Sequence, residues 1–223
     1  MGIHDGHRQR MKERFVNYGL DNFDDVNALE LLLFYALPRR DTNELAHTLL
    51  ARFGSLHGVL EASHQELCNV PGIGESAAVL LSLIPAMSRR YMLSKTPKAD
   101  AVRTPTAAGR FFVPRFMYER EEVVMALFLD ARKRPIDCME LERGAVDAVS
   151  FNMRRLVSLT LEKKASSLIL AHNHLSGEVL PSAEDERATR QLARALSVVG
   201  VELDDHIVVA GCEYLSMREA GLF

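Results

Sequence analysis

In Ala171-His172-Asn173-His174 two histidines stand two positions apart, and after seven intervening residues come Ser182 and, three further on, Asp185. Imidazole nitrogens and a carboxylate oxygen are the ligands a zinc ion takes. The run SSLILA ahead of His172 reads as a buried strand, on which residues i and i+2 project to one side, so both rings can reach the same ion. Asp185 falls in the first turn of a helix whose start is marked by Pro181 and Ser182. Two histidines and one carboxylate leave a fourth position open, the arrangement of catalytic rather than structural zinc. Such an ion brings the pKa of water towards about 7 and polarises a carbonyl, which suits hydrolysis of an amide bond. Ser182-Ala183-Glu184-Asp185 is equally a capping-box pattern, in which serine and acid satisfy free N–H groups at a helix start. The sequence alone leaves both readings open.

The elements needed to hold these residues are legible around them. VVMALFLD, PIDCMELE, SSLILAH and VELDDHIVVAG read as strands, while FNMRRLVSLTLEKKA and SAEDERATRQLARALSVVG carry helical periodicity. This half is α/β or α+β. Asp204, Asp205 and His206 form a further polar cluster at the opening of the last strand, and they read as turn and edge residues, with support of a ligand by His206 as the lesser alternative.

Before residue 95 the pattern is different. RMKERFVNYGL, ALELLLFYAL, ELAHTLLARFG and SAAVLLSLIPAMSRRYML are helical, with Asp41 and Thr42 offering an N-cap and Gly54 a stop. The polar, proline-containing SKTPKADAVRTP has the composition of a linker. The expected organisation is therefore an all-helical domain over 1–95, a linker over 96–103 and an α/β domain over 104–223. In the first of these, Val70-Pro71-Gly72-Ile73-Gly74 makes a tight turn before a helix. It resembles the helix-hairpin-helix motif, whose exposed N–H groups grip a nucleic-acid phosphate without reading bases, which would make Gly72 and Gly74 the contact points. The same turn is also a plain way to pack a helical hairpin.

Composition narrows the classes. Forty-eight per cent apolar and 26% charged residues are ordinary for a globular protein. The net charge of −3 provides no general attraction for nucleic acid, and residues 1–95 hold ten Lys/Arg against eleven Asp/Glu. Only the first fourteen residues lean basic, through Arg8, Arg10, Lys12 and Arg14. Cys68, Cys138 and Cys212 are widely spaced, odd in number and without a CxxC pair, which fits a reducing compartment rather than a disulfide framework. With no apolar run near the ~20 residues of a membrane span and no signal-like start, a cytoplasmic, membrane-free protein is expected. The zincin H-E-x-x-H is absent, as is the H-x-E with paired cysteines that a nucleobase deaminase needs.

H-x-H, seven residues, S-x-x-D resembles the JAMM motif of MPN-domain metallopeptidases, and AHNHLSG with VELDDHIVVAG is similar to the RadC family in particular. The likeness spans nearly the whole chain, including HRQRMKERF, LELLLFYALPRRD and VPGIGESAA. It implies a helix-hairpin-helix domain followed by an MPN/JAMM-like domain of three layers, as in cytidine deaminases. It also implies one Zn2+ per chain on His172, His174 and Asp185, with Ser182 orienting the water or the oxyanion. Cleavage of a peptide or isopeptide bond in an unidentified protein substrate would be the activity.

The family's general-base glutamate falls on Met139, followed by Glu140 and, two positions later, Glu142. On a regular strand Met139 and Leu141 share one face, and Glu140 and Glu142 the other. A one-residue bulge would bring Glu140 back to the site, which makes it the candidate base, against the plainer reading of a solvated strand face. Leu175 and Ala145 stand where the family usually has proline and threonine. Three ligands thus persist while the base is displaced, so two further expectations stand beside a hydrolase. One is a DNA-associated protein working through the Gly72 turn. The other is an interaction scaffold with an inactive MPN-like domain.

Overall fold

The computed structural model describes residues 3–95, 102–144 and 152–223. Its contacts divide the chain into two compact units, Met1–Ser88 and Arg89–Phe223. The linker expected over 96–103 lies outside the described residues as far as 101. No helix among the described residues is long and apolar enough to cross a membrane.

The chain begins with helices α1 (Ile3–Tyr18), α2 (Asp25–Ala36), α3 (Asn43–Phe53), α4 (Leu56–Glu61), α5 (His64–Cys68) and α6 (Glu75–Lys95). Leu29, Leu33, Leu49, Val59, Leu67 and Leu81 close a core with no exposed surface. Burying each such side chain contributes about 1.5–3 kcal/mol, which holds together helices too short to persist alone. Local signals fix the ends. Ser63 and Glu66 form a reciprocal capping box at α5, and Gly54 closes α3 in a left-handed conformation (φ 83°). At the start of α3 the N-cap residue Thr42 makes no side-chain cap bond; Asp41 Oδ1 accepts from Asn43 N–H instead (3.0 Å).

The second unit contains α7 (Pro105–Phe116), β1 (Val123–Leu129), β2 (Pro135–Arg143), α8 (Met153–Glu162), β3 (Ser167–Asn173), α9 (Ala183–Val198), β4 (Glu202–Ala210) and β5 (Glu213–Ser216). The strands form one mixed sheet in the order β2-β1-β3-β4-β5, parallel only between β3 and β4. Parallel neighbours need a crossover, and α9 supplies it. Every residue of β1 and β3 is buried, because both faces of the sheet are covered. Val124, Ala126, Phe128 and Leu170 pack with Leu156 of α8 and Leu192 of α9. Met125, Leu127 and Ile207 pack on the other face with Phe112 of α7.

Asp204, Asp205 and His206 are not turn or edge residues. They lie inside β4, and Asp205 and His206 are buried. The chain tolerates them there because each is partnered: Asp205 accepts from Ser216 Oγ (2.6 Å) and Asp204 from Lys133 Nζ (2.6 Å). Pairing with β3 outweighs the turn-forming tendency of the two aspartates.

Candidate metal centre

β3 delivers His172 at its C-terminal end, and His174 follows one residue beyond it, tied to the sheet by its backbone N–H to Val209 O (2.8 Å). α9 brings Asp185 back over the same strand end in its first turn. His172 Nε2 and His174 Nε2 stand 3.0 Å apart, with Asp185 Oδ1 3.5 Å from the first and Oδ2 3.6 Å from the second. His172 and Asp185 are almost fully buried, and the His174 side chain is 15% exposed, which leaves one open side.

The protons in this cluster can be assigned from what each partner is able to do. A carbonyl only accepts, so Thr189 Oγ1 donates to Asp185 O (2.6 Å) and must then accept from His206 Nδ1–H (2.6 Å). That leaves His206 Nε2 as acceptor for His172 Nδ1–H (2.8 Å), and the lone pair of His172 falls on Nε2. His174 Nδ1–H likewise donates to Glu178 O (2.8 Å), so its neutral ring also carries the lone pair on Nε2. Two lone pairs and a carboxylate thus converge. Zinc bonds of about 2.0–2.2 Å to nitrogen and oxygen put tetrahedral vertices roughly 3.3–3.5 Å apart, close to the observed 3.0–3.6 Å. The residues present fit such a cation.

Charges follow the same geometry. Burial pushes His172 down to about 4, against the pull of Asp185, and burial holds His206 well below its ordinary value. His174 is raised by its contact with Asp185, which outweighs its partial burial, and Glu122 adds to the effect. Burial alone would raise Asp185, but the nearby imidazoles of His174 and His172 and the bonds from Ser182 outweigh it and hold the carboxyl well below the usual range. The capping box and the donor cluster are one structure: Ser182 N–H (2.7 Å) and Oγ–H (2.6 Å) both donate to Asp185 Oδ2, fixing the carboxylate, while Ser182 Oγ accepts Asp185 N–H (3.1 Å). The Ser182 hydroxyl proton is therefore engaged with Asp185.

Residues 102–222 match the RadC-like JAB domain, and residues 6–79 match the UPF0758 N-terminal domain. A UPF0758 protein of Bordetella avium is 38% identical over 214 residues, covering 96% of this chain and 95% of the relative. A UPF0758 protein of Paraburkholderia xenovorans is 36% identical over 94% of this chain and 83% of its own length. This chain belongs to the RadC family.

Among the residues that the RadC resemblance singled out, Glu140 is not brought to the histidines. β2 does carry a bulge, but its effect is different from the one expected. Val124 pairs with Glu142 and Met125 with Glu140, so the register skips Leu141. Val124 also pairs with His172, which puts Glu142 on the face of the histidines; Glu140 goes with Met125 to the opposite face. There it is exposed and held by Arg143, at 2.9 and 2.7 Å. Met139, at the family's glutamate position, packs with Leu141 against the apolar core.

The turn residues differ from one another. Gly72 is left-handed (φ 93°), a conformation strained for residues with a side chain, and a Cβ there would also displace Leu45 Cδ1, 2.9 Å away. Gly74 has open space around its Cα, and Gly72 O accepts from Arg40 (3.1 Å). Leu175 is exposed, and Ala145 lies outside the described residues. Sequence reasoning missed Thr189 entirely and ranked His206 too low. The one available signal for Thr189 was its place four residues after Asp185 on the same helix face.

Proposed function

We propose that this RadC-family chain is a metal-dependent hydrolase of peptide or isopeptide bonds, in which His172 Nε2, His174 Nε2 and Asp185 Oδ1 hold one zinc ion. The observation that supports this reading is the fixed proton pattern that turns both Nε2 lone pairs towards a single carboxylate. When bound, zinc supplies Lewis acidity, lowering the pKa of water to about 7 and polarising a carbonyl.

The chain's own residues do the rest. Ser182 positions Asp185 and, through it, the ligand set. Glu142, on the histidine face, takes up the proton from the attacking water and returns it to the leaving amine, the role first assigned to Glu140. Thr189 and His206 keep His172 in the tautomer that binds. The expected result is loss of one zinc per chain and of peptidase activity on His174→Ala, and a fall in kcat of about 10²–10⁴-fold on Glu142→Gln. Gently purified protein whose content of zinc or comparable metal is unchanged by His174→Ala overturns the reading.

A second reading rests on the first unit. The helix-hairpin-helix likeness of the Gly72 turn, with Arg40 beside it, favours contact with a DNA phosphate at the start of α6. It predicts salt-sensitive binding to a short duplex that weakens on Gly74→Glu, a position with room for a side chain. Unchanged affinity removes it.

A further inference from the structure

Helix α5 ends on Cys68 and begins on His64, four residues apart and therefore on one face. Glu75, the first residue of α6, reaches the same point from the far side of the turn. His64 Nε2 lies 3.1 Å from Glu75 Oε1, Cys68 Sγ lies 3.8 Å from His64 Nε2, and Cys68 Sγ lies 3.9 Å from Glu75 Oε2. The imidazole pairs with Glu75 Oε1 and the thiol donates to Glu75 Oε2, so three side chains of different donor type already face one point. A tetrahedral cation takes such a set once one carboxylate oxygen turns to it. With bonds of about 2.3 Å to sulfur and 2.0–2.2 Å to nitrogen and oxygen, the vertices fall roughly 3.4–3.7 Å apart, within about half an ångström of each separation.

The geometry points to a second metal site on His64, Cys68 and Glu75, taking a borderline-soft divalent ion such as zinc or cobalt and stapling the turn between α5 and α6. Mixed nitrogen, sulfur and oxygen donors select against magnesium and calcium, which take oxygen alone. His64 and Glu75 are exposed and Cys68 is half-buried, so the ion has direct access and keeps an open fourth position for water. As the sulfur–metal bond forms, the thiol proton leaves to solvent. The ligands flank residues 69–74, and the short helix that carries two of them is already fixed by its Ser63–Glu66 capping box and by buried Leu67. Binding therefore requires movement of side chains only.

The test uses the full chain, freed of metal by a chelator and titrated with Co2+. Sulfur is absent from the His172, His174 and Asp185 set, so a thiolate-to-cobalt charge-transfer band reports this site alone. The expected result is a saturable band that disappears in Cys68→Ser, weakens in affinity at least about tenfold in His64→Ala, and is retained in His174→Ala. With the ion at about a hundred times its Kd, exchange of the amides over residues 70–74 slows by up to about 100-fold in the wild type and not in Cys68→Ser. Absence of the band, or its persistence in Cys68→Ser, overturns the proposal. Loss of metal from the His172 set leaves the band in place, so failure of that reading is told apart from failure of this one.

Discussion

The triad on β3 and α9 and the triad on α5 and α6 bring three donor atoms to similar separations, but they differ in what stands behind the donors. Behind His172 are His206 and Thr189, behind His174 is a backbone carbonyl, and behind Asp185 are both donors of Ser182. The first group is buried and its protons are assigned by its partners; the second is largely exposed and its partners are one another. Donor count and spacing are common to the two. Chemistry at a bound ion needs its ligands locked in one tautomer and shielded from water as well, which only the first triad provides.

The largest way to test this difference is acid. His172 titrates near 4 in the folded chain against about 6.5 when unfolded. The unfolded chain therefore takes the proton first, so the stability that His172 contributes is complete above about pH 6.5 and falls as pH drops towards 4, and His206, also held low by burial, acts in the same direction. His174 has the opposite shift, and its contribution is already full below about 6.5, so it does not cancel the fall. Urea unfolding of chelator-treated protein at stepped pH should show a loss on the order of 3 kcal/mol across that window. A flat profile means His172 is not held neutral.

Next in size is His206→Ala. It should weaken zinc at the buried triad by about 10- to 100-fold in competition with a chelator, leaving the cobalt–thiolate band of the exposed triad unchanged. Equal weakening at both sites breaks the contrast. The two capping boxes sharpen it further. Ser182→Ala and Ser63→Ala should each cost about 1 kcal/mol in chemical denaturation, but only Ser182→Ala should also reduce zinc affinity at the buried triad. The smallest effect is expected from Glu140→Gln, within about 0.5 kcal/mol in stability because its Arg143 pair is exposed, with kcat unaltered.

The convergence of two histidines and an aspartate was readable because strand alternation and a helix start are local properties, and local properties are written in neighbouring letters. His172, His174 and Asp185 follow from a period of two, a turn and a capping pattern. His206 and Thr189 come from other elements, and their closeness to His172 is created by parallel pairing of β3 with β4 and by the packing of α9. Asp204-Asp205-His206 looked like a turn because its letters are polar; partners more than ten positions away make those residues acceptable inside a strand. The face on which Glu140 stands was unreadable for the same reason, since register belongs to a pair of strands.

The bulge in β2 has a wider meaning. In an unbroken pleat Glu140 and Glu142 would look the same way; one supernumerary residue sets them back to back. A lineage, or an engineer, could hence relocate a reactive carboxylate by lengthening a strand by a single letter, with no acid gained or lost. Comparing such chains column by column would record a missing glutamate where the molecule has only turned one over.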